Sequence, residues 1–160
     1  MSVRHHLAEQ IANRIEEAAG LYHRLVLVVG PAGTGKTAAL RELAKARGYP
    51  LINVNLELSE RLLDLAERQR PLRCAGIVRD IVGQTGSPVV LLDNLEVVFD
   101  PALRQEPLRL LQLVSRNRTI VATWNGKVVD SYLVYAEPGH PEYKRYPASE
   151  PLTIVALPAR

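Results

Sequence analysis

Cysteine, methionine, tryptophan and phenylalanine each occur once in 160 residues, and aromatic residues make up only 5% of the chain. The lone thiol, Cys74, excludes an intramolecular disulfide and fits a reducing compartment; beside Ala75 it reads as a small core residue. No apolar run approaches the roughly 20 residues that a membrane-spanning helix needs. Met1 to Gln10 carries His5, His6 and Glu9 where a secretory signal would need an apolar centre. A cytoplasmic protein without a membrane segment is the expectation. The sequence also lacks internal repeats, low-complexity tracts and any long linker, which predicts a single domain over residues 1–160. With 47% hydrophobic and 23% charged residues, such a domain can bury a sizeable core. The formal charge of +3 and pI near 9.2 come from basic residues scattered along the chain and not from a run. That describes a mildly basic solvated surface more than a dedicated nucleic-acid groove, and it leaves contact with DNA open.

What is present is an alternation of helices and strands. Leu7, Ala8, Ile11, Ile15, Ala18 and Ala19 are spaced as one face of an N-terminal helix within residues 1–20, which Gly20 stops. An apolar strand, Leu25 to Val29, leads into a glycine-rich loop and then a helix to Arg47, closed by Gly48; residues 25–47 form one unit. Leu51 to Val54 predicts a short strand. Leu58, Leu62, Leu65 and Ala66 predict a helix before Pro71, and a further helix is expected from about Leu72 to Val82. Val89 to Leu92 reads as a central strand covered on both faces. Pro107 opens a helix to about Arg116, Thr119 to Thr123 gives a fourth strand and Leu152 to Ala156 a fifth. Between the last two lies a Tyr-, Pro- and Gly-rich insertion over residues 132–151. The pattern predicts an α/β fold: a three-layer P-loop NTPase architecture with a five-stranded, mainly parallel sheet.

The loop Gly30-Pro31-Ala32-Gly33-Thr34-Gly35-Lys36-Thr37 fits the phosphate-binding pattern G-x-x-x-x-G-K-[ST] and sits between a strand and a helix. There, backbone from Gly30 to Ala38, with consecutive N–H groups from Ala32 onward, can converge on a phosphate at the helix N-terminus. Lys36 would reach the β- and γ-phosphates of ATP or another nucleoside triphosphate, and the Thr37 hydroxyl would ligate Mg²⁺. Val89-Val90-Leu91-Leu92-Asp93 is a Walker B segment, in which Asp93 holds Mg²⁺ through the Thr37 side of the site. One full strand–helix unit separates the two motifs, as in the ATPase branch of P-loop proteins; nucleotide kinases place those strands side by side.

The residue that would polarise an attacking water is less direct. Many ATPases of this branch place a Glu after the Walker B Asp; here that position is Asn94, and the nearest carboxylate is Glu96. An amide can orient a water but cannot accept its proton. Either Glu96 takes the role, or hydrolysis is slow and the protein works as a nucleotide-gated switch.

The segment Thr119 to Asn125 resembles the sensor-1 strand of AAA+ ATPases, and with the two motifs above the chain resembles an AAA+ core along nearly its whole length. The resemblance implies that Asn125, with Thr123 in reserve, bonds the γ-phosphate or the lytic water, while Asn125-Gly126 is also a turn signal. It implies a homo-oligomer in which an Arg from a neighbouring subunit acts in trans. Arg145, ahead of the last strand, is the first candidate, with Arg116 and Arg118 as others. Tyr143-Lys144-Arg145-Tyr146 also suits base stacking, and four Tyr in residues 132–146 suit a protein interface. Two departures stand out: the sequence reaches Arg160 soon after the last strand, without the helical lid, and the helix usual before that strand is replaced by the insertion. With GPAGTGKT, VVLLDNLEVVFDP and ATWNG in this order, the chain is similar to the BrxF family, the small P-loop proteins of type 3 bacteriophage-exclusion (BREX) systems. That similarity implies a bacterial role in phage defence beside other proteins of such a system. Two functions remain open on the residues: a Mg²⁺-dependent ATPase, or a nucleotide-gated adaptor with little turnover.

Overall fold

A computed structural model of the chain describes residues 3–148 and 152–157. Five helices, α1 (Val3–Ala18), α2 (Lys36–Arg47), α3 (Val54–Leu62), α4 (Arg70–Gly83) and α5 (Pro107–Val114), alternate with strands β1 (Leu25–Gly30), β2 (Leu51–Asn53), β3 (Val89–Asp93) and β4 (Thr119–Val129). Strands β5 (Tyr132–Tyr135), β6 (Lys144–Pro147) and β7 (Thr153–Ala156) follow among the described residues. The sheet runs β2-β3-β4-β1-β7 with every pair parallel, so β4 lies between the strands that carry the two phosphate-site motifs.

Strand alternation sorts the core into two halves, because successive side chains point to opposite faces. Val26, Val28, Leu91, Val121 and Val155 pack beneath α1 and α2, against Ile11, Ile15, Ala39, Leu40 and Leu43. Leu25, Leu27, Val29, Val90, Leu92, Ile120 and Ala122 face the other way, against Leu58, Val78, Ile81, Leu108 and Leu111 of α3, α4 and α5. Burying each such Val, Leu or Ile side chain stabilises the fold by roughly 1.5–3 kcal/mol before entropy is counted. The five parallel strands expected from the sequence are all present.

Several boundaries differ. Helix α3 ends at Leu62, so Leu65 and Ala66 lie outside it. Helix α5 stops at Val114, short of Arg116. The largest departure concerns β4, which does not turn at Asn125-Gly126. Its neighbours have left the sheet by that point, β3 after its pairing with Ala122, into a left-handed Asn94 (φ 54), and β1 at Gly30, opposite Asn125, into the glycine loop. Strand β4 carries on alone to Val129. It reverses through Asp130 (φ 50) and Ser131 (φ 65), whose positive φ values suit a two-residue hairpin. The insertion is thus largely ordered: β5 pairs antiparallel with β4 and β6 with β5, forming a ribbon beyond the end of the parallel sheet. Residues 149–151 of the insertion lie outside the described residues. Among the described residues, no helix stands between β4 and β7.

Aromatic packing fixes the ribbon. Trp124, 1% exposed, meets Phe99 edge-on at 5.1 Å, Tyr135 at 6.2 Å and Tyr146 at 6.1 Å, while Phe99 and Tyr135 stack at 3.6 Å. The Trp124 indole N–H donates to the Val134 carbonyl (3.2 Å). A Cβ at Gly126 would collide with that carbonyl, so only glycine lets the strands approach this closely. Lys144 Nζ donates to Glu106 Oε1 at 2.7 Å, tying β6 to the start of α5.

Candidate functional site

The carboxyl ends of β1, β3 and β4 converge, and the sequence places a polar residue at each. Gly30 opens the loop, where a Cβ would press on Thr34 Oγ1 at 3.0 Å. Gly33 (φ 79) and Gly35 (φ 94) hold left-handed backbone that other residues resist. Gly35 caps α2 with no side-chain oxygen on the helix amides, so the N-terminus of α2 is built from main chain alone. The Lys36 ammonium donates to the Gly30 carbonyl (2.7 Å), the Pro31 carbonyl (2.6 Å) and Thr34 Oγ1 (3.3 Å). Burial holds the Lys36 amine below its ordinary pKa, opposed by the nearby Asp93 and Glu96 carboxylates.

Asp93 is the hub. Thr37 Oγ1 donates to its Oδ2 at 2.6 Å, and Thr123 Oγ1 donates to its Oδ1 at 2.7 Å. The Asn94 N–H also donates to Oδ1, at 2.9 Å. At 6% exposure this carboxylate is held in one orientation by three donors. Beside it, Asn125 Nδ2 donates to Glu96 Oε1 at 3.3 Å. Thr123 and Asn125 share the face of β4 that looks toward the loop and α2, and Trp124 between them points into the ribbon cluster.

The structure therefore gathers Lys36, Thr37, Asp93, Glu96, Thr123 and Asn125 around the glycine loop. It does not bring in the remaining candidates. Asn94 enters only through its backbone N–H on Asp93; its carbonyl is tied to the Asn55 N–H (2.8 Å), and its positive φ turns the chain away directly after Asp93. Arg145 is exposed on β6 with its guanidinium 3.6 Å over the Tyr132 ring. Arg116 lies over Tyr22 (4.8 Å), and Arg118 reaches the carbonyls of Val82 and Ser87. Both stand at the amino ends of the parallel strands, opposite the site. The sequence suggested Thr123 as a ligand of phosphate or water; its hydroxyl is on Asp93. Period-two counting back from Asn125 places Thr123 on the same face, and that was the available signal.

The donor set fits a magnesium nucleotide. A hydroxyl and a carboxylate oxygen within 2.6 Å of each other are hard oxygen ligands of the kind Mg²⁺ takes, and glycine backbone with an amine beside it suits phosphate.

Comparison with known proteins follows the same line. A family model described as "ATPase family associated with various cellular activities (AAA)" matches residues 26–111, more than half of the chain. No curated protein matches. Among the solved structures that match is that of C. elegans PCH-2, at 17% identity and a TM-score of 0.46, covering 98% of this chain and 43% of that one. The chain thus spans less than half the length of that protein. Among the described residues, no helix is long and apolar enough to cross a membrane.

Proposed function

We propose, because the chain belongs to the family of ATPases associated with various cellular activities, that it binds ATP with Mg²⁺ and hydrolyses it at a modest rate. The observation that carries this is the joining of Thr37, Asp93 and Thr123 in one hydrogen-bonded line, with the Glu96–Asn125 pair beside it. Backbone from Gly30 to Ala38 would cradle the phosphates, and Lys36 would leave the loop carbonyls for the β- and γ-phosphates. Thr37 and Asp93 would hold Mg²⁺, which neutralises phosphate charge and polarises the terminal phosphoryl group. Thr123 keeps Asp93 oriented. Glu96, with one oxygen on Asn125, takes the proton of a water aligned with the terminal phosphate. The carboxylate comes from three residues past Asp93 and not from the next position, which supports a slow reaction.

A second reading rests on Asn94. With an amide where a carboxylate is usual, and with its carbonyl locked to Asn55, the protein would act as a nucleotide-gated adaptor whose output is assembly. In either reading the active species is a homo-oligomer, with Arg145 of one subunit reaching the nucleotide of the next. The similarity to the BrxF family supports a place in bacterial phage defence with partner proteins, and the mildly basic composition leaves contact with DNA open.

Turnover measurements decide between the readings. Wild-type protein is expected to hydrolyse ATP faster than Lys36→Ala and Glu96→Gln; if it matches Lys36→Ala at every concentration, the adaptor reading stands. Mass measurement with and without nucleotide tests assembly, and a monomer in both conditions removes the role in trans. Affinity capture from the native cell that brings down no phage-defence protein removes that assignment.

A further inference from the structure

Glu96 lies on a short stretch that the parallel sheet itself does not hold. After Asp93 the chain enters left-handed backbone at Asn94 (φ 54), then a 3₁₀ turn over Glu96–Phe99. A non-glycine residue in that conformation persists only where its surroundings over-determine it. Leu95, Val98 and Phe99 anchor the stretch from below by burial, which sets its depth but not its rotation. The Asn94 N–H on Asp93 Oδ1 (2.9 Å) fixes only the start of the stretch; beyond it the polar restraint comes from Asn55, in the first turn of α3. Its backbone N–H donates to the Asn94 carbonyl at 2.8 Å, and its side-chain Oδ1 accepts the Val97 N–H at 2.7 Å. The two bonds bracket Glu96 on both sides. The contact made by the carboxylate itself, with Asn125, is longer at 3.3 Å.

We infer that Asn55 is a positioning residue for Glu96: by clasping Asn94 and Val97 it sets where the carboxylate stands relative to Lys36 and Asp93. The inference rests on the reading of Glu96 as the group that takes the proton of water. Asn55 comes two residues after the end of β2, and Asn53 of β2 pairs in register with Asp93, so the clasp springs from the strand that flanks the metal carboxylate. Asn53 meanwhile caps α3 by accepting the Leu56 N–H (3.1 Å), which orients the first turn from which Asn55 reaches out. Only an acceptor is required at the Asn55 side chain. Aspartate supplies one, and in the first turn of a helix its charge is tolerated; alanine does not.

The test uses the full chain with Asn55→Ala, Asn55→Asp and Glu96→Gln. Misplacing a reacting group by an ångström costs up to about a hundredfold in rate. Asn55→Ala is therefore expected to lower kcat by about tenfold or more, with the ATP dissociation constant within about twofold of wild type. Asn55→Asp is expected to recover most of the rate. Amide hydrogen exchange at Val97, read on the same samples, should be fast in Asn55→Ala and slow in wild type and Asn55→Asp. Wild-type turnover with Asn55→Ala overturns the inference, as does loss of rate in Asn55→Asp while Val97 stays protected. Equal loss of ATP binding and rate in Asn55→Ala overturns it too, since that marks a structural role. If Glu96→Gln turns over as fast as wild type, the reading of Glu96 itself fails and the inference falls with it; a wild-type rate confined to Asn55→Ala sinks the inference alone.

Discussion

Strand β4 belongs to two architectures. From Thr119 to Asn125 it runs in the middle of the parallel sheet, paired on both sides from Ile120 to Ala122, with β1 as far as Asn125, and buried as far as Trp124. From Gly126 to Val129 it is one arm of an antiparallel ribbon, with Lys127, Val128 and Val129 exposed. In the first stretch each side chain's direction follows from alternation and the polar residues fall on the site. In the second, the path is set by contacts with distant residues: the Trp124 indole on Val134, and Phe99 stacked on Tyr135. The parallel half positions chemistry, and the ribbon braces the segment that follows Asp93. The difference shows how one strand can serve a widespread site and a private accessory together.

The sharpest way to break this division is at the junction. Gly126→Val places atoms where the Val134 carbonyl and Trp124 already stand, and we expect a loss of about 3 kcal/mol or more in chemical denaturation. Gly83→Ala, where nothing lies within 4 Å, should stay within about 1 kcal/mol of wild type. Equal behaviour of the two would mean that the ribbon packs more loosely than described.

Next in size is Lys36→Ala, which touches only the chemical half. Loss of a charge-assisted phosphate contact worth about 2–3 kcal/mol should weaken ATP binding by roughly a hundredfold in calorimetry. The melting temperature should barely move, since the buried amine is held at a desolvation cost.

Alkaline titration compares the halves directly. Burial raises the Cys74 thiol on α4 from 9.0 to about 11, and the Tyr135 phenol in the ribbon from 10.0 to about 12, the latter with help from Glu142 and Glu96. The folded state keeps protons that the unfolded chain releases. Stability is therefore full below pH 9 and falls as pH climbs through each folded value. Unfolding curves should show Cys74→Ala flattening the pH 9–11 part of the decline and Tyr135→Phe the pH 10–12 part. Unchanged slopes in both variants would mean that neither group is shielded as described.

The smallest effect is expected from Lys144→Ala. Its 2.7 Å ion pair with Glu106 is partly solvated and worth less than about 1 kcal/mol, measurable as a slight shift in the denaturation midpoint.

Legibility in the sequence follows the same division. The glycine loop, Asp93 and the buried runs of β1 and β3 were readable because their chemistry is local: phosphate needs consecutive amides, and a covered strand needs unbroken apolar residues. Asn125-Gly126 misled because a turn signal describes only backbone tolerance. Glycine here serves close approach of Val134, a residue that enters the argument only after β5 is placed. Thr123 was readable for its face but not for its partner. Asn55 gave no signal at all, since its two bonds join segments separated by the whole of α3, α4 and β3.

The single tryptophan has a practical consequence. Trp124 sits at 1% exposure between the two residues that touch Asp93 and Glu96. All indole emission from this chain therefore originates at the joint between site and ribbon, with no second fluorophore of its kind to dilute it. The protein carries its own optical gauge: an indole this buried should emit to the blue of a solvated one, giving a baseline against which nucleotide, partner or ribbon variants can be read without a label.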